Sequence, residues 1–350
     1  MRLVLIGDGE SPHLLKWARA LAPRVELWAA SSRRFAPELA ALLPASRRYA
    51  MDAETRHGGG NWGVLSGLPG LAAWLQRVDA DWLHPHYLTS HGTLAWAAKK
   101  GWRLRGRIVG SAWGSDILVT PDKSVAYRWL TTRVLRACAL ATSDSQHMAA
   151  RMRELGSGEV MVFPFGLEAL PKQNARKEPW LCFANRGLEP IYRPERVIEA
   201  FAALAAVQPE ARLVVANEGS LRDALNEQVR ALGLTERVSF VGRLDAAAQA
   251  GHYARATWYF SLPESDSISV SVLEAMAHQC LPVLSDLPAN RELIEPDAGQ
   301  GLLIASPSNL PTRMARLDTE AAGRANREWV AAHGLFAPAV ERFLARLESI

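Results

Sequence analysis

The sequence predicts an α/β protein built from two doubly wound domains. Its 350 residues exceed what one hydrophobic core usually holds, about 250–300 residues. Strand-like and helix-like segments alternate from end to end, which is typical of parallel sheets with helices on both faces. A polar stretch at 168–179 interrupts the alternation and predicts a linker. We therefore expect domains at 1–170 and 171–335, with a C-terminal helix at 336–350 that packs back on the first domain.

In the first domain, each predicted strand is a short apolar run that a helical pattern follows. Ser11 and Pro12 are good residues for the start of the first helix. The predicted strands are RLVLIG, RVELWAA, WLHPHY, RIVGSAW, ALATS and VMVFPF. The predicted helices are SPHLLKWARALA, LAAWLQRV, TLAWAAKK, VAYRWLTTRVLRA and QHMAARMREL.

In the second domain, the same alternation resumes with a different sequence. Helices are expected from Pro194 and from Ser220, and in the segments AAAQAGHYARA and SVLEAMAH. The predicted strands are WLCFANR, ARLVVAN, RVSFVG, TWYFSLP and LPVLSD. The final stretch REWVAAHGLFAPAVERFLARLESI is expected to be helical. In doubly wound sheets ligands bind at the carboxyl ends of the strands, so we expect function in a cleft between the two facing domains.

Composition indicates a globular protein of a reducing compartment. The first residues read as a strand and turn, too short for a secretory signal or a membrane span. Three scattered cysteines, Cys138, Cys182 and Cys280, lie in apolar stretches and favour core thiols over a zinc site or disulfides. We therefore expect a cytoplasmic protein.

Charge is distributed unevenly along the chain. Residues 1–172 carry 22 Lys and Arg against 14 Asp and Glu, whereas residues 173–350 carry 18 against 22. No DNA- or RNA-binding motif accompanies the basic half, so nucleic acid is not an expected partner. Anionic lipid headgroups fit this half better, and a solvated basic face is the alternative.

The segment SLPESDSISVSVLEAMAHQCLPVLSD (261–286) carries the strongest signal. A strand leads into a polar loop, and the loop leads into a helix that starts near Ser269. Backbone N–H groups at such a start form an anion site. A diphosphate at the helix start, a sugar against Asp266 and a ribose diol against Glu274 fit one ligand. The loop and helix start supply the further donor-binding candidates Ser267, Ile268, Ser269 and Val270.

This segment resembles the acidic-x7-acidic signature of the family 4 retaining glycosyltransferases, which usually have Glu at both ends. The run LEAMA before a strand, and the order of elements over most of the chain, resemble that family and its GT-B fold of two Rossmann-like domains. The resemblance implies that Glu274 binds the ribose and that Asp266, with its shorter side chain, lies against the donor sugar. It also implies a metal-independent reaction without a cofactor, in which a nucleotide sugar is the co-substrate.

Two arginines resemble the family's cations for the leaving diphosphate. Arg186 ends a strand and Arg193 precedes the next helix, with Arg196 as an alternative to Arg193. Arginine suits this role because its fork binds phosphate oxygens in pairs. The turn ANEGS and the strand end SFVGRL resemble the family's nucleotide-binding stretches, and their candidates are Asn217, Gly219, Val241 and Gly242.

The first domain supplies weaker candidates for the donor and the acceptor. Gly7 and Gly9 follow the first strand and permit close backbone approach to a phosphate or sugar. The segment SAWGSDIL resembles a family stretch that commonly reads His-Gly-Ser-Asp, with Trp113 in place of the His that touches the donor sugar. The candidates for the acceptor or sugar cleft are His86, Trp113, Asp116 and Trp62, with His91 as a further cleft or structural histidine.

Two further motifs receive lower weight. Asp79 and Asp81 look like a metal-binding pair, but they precede their strand and so belong to the opposite end of the sheet. The segment KKGWRLRGR (99–107) mixes cations with Trp102 and is a candidate for membrane contact.

The sequence therefore predicts a retaining glycosyltransferase that moves a sugar from a UDP- or GDP-sugar to a saccharide, lipid-linked or envelope-glycan acceptor. One alternative is a sugar-nucleotide-binding protein without turnover, because Trp113 replaces the usual His. The other is an NADP-dependent oxidoreductase, since the GDG turn and the SSRR segment would suit a pyrophosphate and a 2′-phosphate. The missing third glycine argues against the oxidoreductase.

Overall fold

The chain folds into two compact units. The computed structural model describes residues 1–52, 66–172, 175–294 and 299–350. The first unit comprises Met1–Phe163 with Ala337–Ile350, and the second comprises Pro164–Phe336.

The division between the units precedes the polar stretch at 168–179. Leu167 forms a parallel bridge with Leu335, and the ring of Phe165 packs edge-on against Phe336 at 4.8 Å. These apolar contacts attach the residues before the polar stretch to the second unit. The boundary therefore follows packing more closely than polarity.

The first unit holds a seven-stranded parallel sheet in the order β3-β2-β1-β4-β5-β6-β7. The strands are β1 (Arg2–Gly7), β2 (Glu26–Ser31), β3 (Arg48–Ala50), β4 (Trp82–Pro85), β5 (Arg107–Ser111), β6 (Cys138–Ser143) and β7 (Val160–Val162). The described helices before the second unit are α1 (Pro12–Leu21), α2 (Pro37–Leu42), α3 (Leu68–Val78), α4 (Thr93–Trp102), α5 (Ser115–Leu118), α6 (Val125–Ala137) and α7 (Gln146–Glu154). Ser11 caps α1 by accepting the N–H of His13, as its position predicts.

The predicted strand WLHPHY is shorter than expected. Strand β4 ends at Pro85, and Tyr87–Gly92 form a turn of π-helix that leads into α4. Tyr87 has a φ of 64°, which a strand does not allow. The histidine-rich segment therefore turns over the carboxyl end of the sheet.

The last helix, α15 (Phe336–Ser349), belongs mostly to the first unit. Its Phe343 packs against Trp17 of α1, with ring centroids 5.0 Å apart. Arg346 donates to both carboxylate oxygens of Glu159, at 2.7 and 2.6 Å. Apolar packing and a bidentate ion pair thus hold this helix on the sheet of the first unit.

The second unit holds a six-stranded parallel sheet in the order β10-β9-β8-β11-β12-β13. The strands are β8 (Glu178–Ala184), β9 (Arg212–Ala216), β10 (Val238–Gly242), β11 (Ala256–Ser261), β12 (Leu281–Ser285) and β13 (Leu302–Ile304). The described helices before α15 are α8 (Pro194–Ala205), α9 (Arg222–Ala231), α10 (Ala246–Arg255), α11 (Val270–Ala277), α12 (Pro288–Ile294), α13 (Leu310–Met314) and α14 (Thr319–His333).

One helix boundary of the second unit differs from the sequence prediction. Helix α9 begins at Arg222 and not at Ser220, because Glu189 accepts both the N–H and the hydroxyl of Ser220, at 3.0 and 2.6 Å. The C-terminal stretch forms two helices, α14 and α15. It breaks between His333 and Phe336, where Leu335 bridges to Leu167.

Each sheet contains one point where strand order reverses. In the first unit this switch point lies between β1 and β4, and in the second unit it lies between β8 and β11. Loops that leave such neighbouring strands diverge to opposite faces and leave a crevice at the carboxyl edge, where ligands bind. We therefore expect the functional residues at the carboxyl edges of the two sheets, beside these switch points.

The burial of the cysteine side chains and the character of the helices are those of a protein that folds around apolar cores. Cys182 and Cys280 are buried, Cys138 is partly buried, and all three are free thiols. Within the described ranges we find no helix that combines the length and the apolarity needed to cross a membrane.

Candidate functional site

The switch point of the second unit brings Arg186 and Asp266 together. Arg186 follows β8, and Asp266 lies in the loop after β11. Nη1 of Arg186 lies 2.7 Å from Oδ2 of Asp266, and the two side chains are 16% and 20% exposed. The same Nη1 donates to the hydroxyl of Ser269, and the guanidinium stacks over the ring of Tyr192 at 4.5 Å. Two predicted catalytic residues thus meet in one largely buried ion pair.

The electrostatics keep Arg186 charged. Burial opposes the charged form, but the carboxylate of Asp266 and the hydroxyls of Tyr259 and Tyr192 together outweigh it and raise the pKa of Arg186. A buried guanidinium with a single carboxylate partner has donors to spare. Arg186 is therefore suited to bind a second anion at the edge of the sheet.

The start of α11 faces the same cluster. Ser269 occupies the N-cap position, but its side chain makes no capping hydrogen bond. Its hydroxyl instead accepts from Arg186 and lies 2.8 Å from the hydroxyl of Ser271. The positive end of the helix dipole and the guanidinium of Arg186 therefore act on one place, which favours an anion there.

Two further candidates of this loop have buried side chains. Ser267 and Ile268 are 4% and 8% exposed, and Ile268 packs in an apolar cluster with Val272 and Leu273. The N–H of Ser267 donates to Oδ1 of Asp266 at 3.0 Å. The side chain of Ile268 is therefore a core residue, and any contact it makes with a ligand is through its backbone.

Glu274 is half-buried and held by two donors. Its Oε2 accepts from Nε2 of Gln249 and from the hydroxyl of Tyr253, each at 3.1 Å. Burial raises the pKa of the Tyr253 hydroxyl well above its usual range, so this hydroxyl stays protonated and can donate. Glu274 therefore has one carboxylate oxygen fixed by α10.

A polar network joins the end of β8 to α11. Asn185 donates from Nδ2 to the hydroxyl of Tyr253 at 2.8 Å and accepts at Oδ1 from the hydroxyl of Tyr259 at 2.7 Å. The hydroxyl of Tyr259 also lies 2.9 Å from that of Ser271. These buried bonds set the position of α11 relative to the strand that carries Arg186.

Arg193 lies in a different ion-pair cluster from Arg186. It has a left-handed backbone, with a φ of 46°, at the start of α8. Its Nε donates to Glu195, and its Nη1 lies 3.0 Å from Glu264. The side-chain bonds from Glu195 and Glu264 raise its pKa. The alternative cation Arg196 is exposed on the first turn of α8.

The candidates after β9 and β10 converge at the same edge of the sheet. Asn217 has a φ of 84°, and its N–H donates to the carbonyl of Gly242 at 2.6 Å. A register shift between Phe240 and Gly242 leaves Val241 outside the regular ladder. A bulge of this kind frees backbone groups for other partners.

Two glycines in this region are required by space or by backbone conformation. A Cβ at Gly219 would lie 2.3 Å from the carbonyl oxygen of Leu188. Gly242 has a φ of 71°, a left-handed conformation that favours glycine. The fold itself therefore favours glycine at both positions, and the contact of these glycines with a nucleotide stays a prediction.

The first unit places His86 and Trp113 side by side. Nε1 of Trp113 donates to Nδ1 of His86 at 3.2 Å. Because an indole nitrogen only donates, Nδ1 of His86 is the acceptor and the neutral ring carries its proton on Nε2. Among the described residues, no partner lies within hydrogen-bond distance of this buried Nε2. His13, which sequence analysis did not single out, stacks on Trp113 at 4.4 Å.

Asp116 and His91 make contacts that support the loops. The carboxylate of Asp116 accepts the backbone N–H of Trp113 at 2.9 Å and that of Leu88 at 2.8 Å. His91 lies 2.9 Å from the carbonyl of His86 and 2.9 Å from the hydroxyl of Ser32. Both side chains are buried, so they position the segment that carries His86.

The glycine-rich turn after β1 is closed by the chain that follows β2. The N–H of Gly9 donates to Oγ of Ser31 at 2.8 Å, and a Cβ there would lie 2.5 Å from the carbonyl oxygen of Arg34. Arg33 pairs with Asp8 and Glu10, at 3.6 and 2.9 Å. Packing therefore explains why a glycine occupies position 9.

Two further predicted features stand apart from this chemistry. Asp79 and Asp81 precede β4 and both pair with Arg105. In the parts of the chain that the structure describes, no group of three His, Cys, Asp or Glu side chains could hold a metal ion. Trp62, with its segment 57–63, lies outside the described residues.

Comparison with known proteins decides the family. A model described as "Glycosyl transferase 4-like" matches residues 2–157, and one described as "Glycosyl transferases group 1" matches residues 168–317. Together they match most of the chain. The chain belongs to the family 4 glycosyltransferases and has the GT-B fold.

One relative resembles this chain over part of its length. The N-acetyl-alpha-D-glucosaminyl L-malate synthase of Bacillus anthracis is 24% identical over 220 residues, which cover 59% of this chain and 57% of that protein. The match thus spans just over half the length of that relative.

Two solved structures share the whole fold. The sucrose-phosphate synthase of Thermosynechococcus elongatus has a TM-score of 0.80 at 15% identity, with 100% of this chain and 99% of that one covered. The Anabaena protein HepE in complex with UDP-glucose has a TM-score of 0.77 at 14% identity, with both chains fully covered. Because the matching family models are those of glycosyltransferases, the NADP-dependent oxidoreductase alternative is set aside.

The residues that sequence reasoning missed lie beneath this glycosyltransferase's candidate site. Asn185 had a signal, because it directly precedes Arg186 at a strand end. Tyr253 and Tyr259 had none, because a buried tyrosine in a helix or strand is indistinguishable by pattern from a core aromatic residue. Only the folded chain shows that their hydroxyls meet Glu274 and Ser271.

Proposed function

We propose that this glycosyltransferase transfers a sugar from a UDP- or GDP-sugar with retention of configuration and without a metal ion. The observation that carries the proposal is the cluster of Arg186, Asp266 and Ser269 at the start of α11. A cation with unused donors, a carboxylate and a helix N-terminus lie together at a switch point. This combination suits a diphosphate joined to a sugar.

The donor is oriented by groups on either side of this cluster. Tyr253 and Gln249 hold the carboxylate of Glu274 in place, and this carboxylate accepts hydrogen bonds from the ribose diol. The bulged backbone at Val241 and the neighbouring Gly242 hold the base, and Asn217 and Gly219 shape the turn beside it. The Anabaena protein of the same fold binds UDP-glucose, which supports UDP as the nucleotide to test first.

Bond breaking places negative charge on the β-phosphate. Arg186 and the N–H groups at the start of α11 stabilise this charge, with Arg193 as the second cation. The bond between the sugar C1 and the β-phosphate oxygen breaks, and the acceptor oxygen bonds to C1 on the same face. The leaving phosphate oxygen takes the acceptor's proton. Asp266 lies against the donor sugar and orients Arg186.

The acceptor belongs to the first domain in this proposal. His86 carries a buried N–H donor that no other described residue engages, and the ring of Trp113 beside it belongs to an aromatic cluster with His13, of a kind that packs well against a sugar. We infer a saccharide, a lipid-linked saccharide or a growing envelope glycan as the acceptor. The basic balance of this domain supports peripheral contact with an anionic membrane from the cytoplasmic side.

One observation favours the second candidate, a sugar-nucleotide-binding protein without turnover. The indole N–H of Trp113 is occupied by His86, so it does not replace the donating group of the histidine usual at this position. Such a protein would bind the nucleotide and leave the donor intact.

The experiment is a donor panel read by proton NMR. The pure protein is incubated with UDP-glucose, UDP-galactose, UDP-N-acetylglucosamine and GDP-mannose, with and without EDTA, and with simple alkyl glycosides as acceptors. Release of the nucleoside diphosphate with an α-configured product, unchanged by EDTA, supports the proposal. A β-configured product overturns retention. Nucleotide binding without release from any donor supports the second candidate.

A further inference from the structure

One helix of the first unit exposes large apolar side chains to solvent. Val125 is 87% exposed and Trp129 is 53% exposed, so both rank among the three most exposed large apolar side chains of the described chain. Both lie on α6. Exposing large apolar side chains to water costs free energy, so Val125 and Trp129 indicate a surface that another molecule covers.

The spacing places these side chains on one face of α6. Val125, Trp129 and Arg133 follow one another at intervals of four, which keeps them on one side of a helix. The opposite side is buried through Val134 and Leu135, which join the core beneath the helix. The side of α6 with Val125, Trp129 and Arg133 therefore faces solvent, and the opposite side packs on the core.

The neighbouring helix extends this face. Trp96 of α4 meets Trp129 edge-on, with ring centroids 6.3 Å apart, and Lys100 lies exposed one turn further along α4. We call the combined surface the Trp–Arg face. Its members are Trp96, Lys100, Val125, Arg128, Trp129 and Arg133.

The charge of this surface has one sign. Its charged members are Lys100, Arg128 and Arg133, and all three are cations. The guanidinium of Arg133 stacks over the ring of Trp129 at 5.4 Å. Asp122, just before α6, is exposed and lies 3.5 Å from Arg128 and 2.6 Å from Arg151. Lys100, Arg133 and the exposed ring of Trp129 are thus combined in one place.

We propose that the Trp–Arg face binds the surface of an anionic lipid bilayer. Tryptophan rings are most stable at the headgroup level, where the ring is apolar and its N–H stays hydrated. Arginine and lysine bind lipid phosphates while their stems rest on apolar material. Helix α6, which is about 20 Å long at 1.5 Å per residue, lies along the membrane plane with Val125 and Trp129 inserted.

A merely solvated basic helix does not account for these residues. Cations alone keep a helix soluble, but such a helix gains nothing from Val125 and Trp129 at its most exposed positions. The face also lies apart in sequence and chemistry from Arg186, Asp266 and Glu274. The inference rests on the membrane contact proposed above and locates it on the chain, but it stands or fails independently of the proposed donor chemistry.

The test is flotation of the full-length protein with vesicles. Vesicles of phosphatidylcholine are compared with vesicles of phosphatidylcholine and phosphatidylglycerol, at low and high salt. The variants are Trp129→Ala, Val125→Asp and the pair Arg128→Glu with Arg133→Glu. The control is Val207→Asp, because Val207 is 59% exposed in the second unit. Circular dichroism and the thermal shift with UDP show that each variant is folded and keeps its nucleotide site.

The expected result is binding to the anionic vesicles only, weakened by salt. Each variant of the face should lower the partition coefficient by about tenfold or more, since each exposed charge and ring contributes to binding. Val207→Asp should bind as the native protein does. Absence of vesicle binding overturns the proposal and points to an acidic protein as the partner of this face. Anionic binding that the face variants leave unchanged also overturns it.

Discussion

Oδ2 of Asp266 lies 2.7 Å from Nη1 of Arg186, and the same guanidinium donates to Ser269 at the start of α11. A carboxylate expected against the donor sugar and a cation expected against the diphosphate are therefore each other's partners. This pairing has consequences for stability and for donor binding that can be measured separately.

Replacing Asp266 with Asn is expected to destabilise the second unit. The substitution leaves the guanidinium of Arg186 without its counter-charge in a place that is about four-fifths buried. Breaking a buried pair costs about 3–5 kcal/mol and an exposed one less than about 1 kcal/mol, so we expect about 2 kcal/mol. Chemical denaturation measures this free energy.

The matched control is Asp286→Asn, which removes the partner of Arg291 in a pair that is 36% and 51% exposed. We expect a loss below about 1 kcal/mol there. UDP should restore part of the stability of Asp266→Asn, because the diphosphate supplies the missing negative charge. Equal losses in the two variants would contradict the importance of the pair.

The two arginines are expected to differ in their effect on UDP affinity. Arg186→Lys keeps a charge but loses the fork that reaches Ser269 and a phosphate together, so we expect about tenfold weaker UDP binding. Arg193 is already occupied by Glu195 and Glu264. Arg193→Lys should therefore weaken binding less. Calorimetry compares the two, and a larger effect at Arg193 would reverse their assigned order.

Tyr259→Phe is expected to destabilise the second unit without removing a ligand contact. The substitution deletes the hydroxyl that donates to Asn185 and leaves that buried acceptor unsatisfied, at a cost of about 1–3 kcal/mol. Tyr192→Phe keeps the ring under Arg186 and should change the free energy of unfolding by less than about 0.5 kcal/mol. A similar effect for both would show that the Tyr259 network contributes little.

Stability of the first unit is expected to fall as the pH decreases below about 6.5. Burial lowers the pKa of His84 to about 3 and that of His13 to about 4. The unfolded chain therefore binds protons that the folded chain excludes. Burial raises the pKa of Asp116 to about 6, which acts in the opposite direction but through a single group.

Unfolding at pH 7.5 and pH 5 tests this sign. His84→Asn should reduce the difference between the two values, because it removes a group whose pKa burial lowers. Greater stability at pH 5 than at pH 7.5 would mean that Asp116 outweighs the histidines.

Local signals explain how much of the fold and site the sequence predicts. Short apolar runs followed by amphipathic stretches locate most strands and helices, and Ser11 marks a helix start that the structure confirms. Short elements such as β3 and α2 carry too few residues for a periodic pattern. The start of α9 is shifted by Glu189, which is distant in sequence from Ser220.

The candidate site shows the same limit. The spacing of Asp266 and Glu274 and the strand end at Arg186 direct attention to segments that meet in the structure. That Arg186 and Asp266 pair with each other depends on the neighbouring positions of β8 and β11, which only the sheet order provides. The hydroxyls of Tyr253 and Tyr259 depend on packing between helix and strand, and local sequence carries no record of it.

The most direct test of the central claim is calorimetric titration of UDP into the native protein and into Glu274→Gln. Glu227→Gln, on an exposed position of α9, is the control. If Glu274 binds the ribose, its substitution weakens UDP binding by about tenfold, which corresponds to about 1.4 kcal/mol, and the control binds like the native protein. Unchanged UDP affinity in Glu274→Gln, or no UDP binding by the native protein, would contradict the assignment of the donor site to this segment.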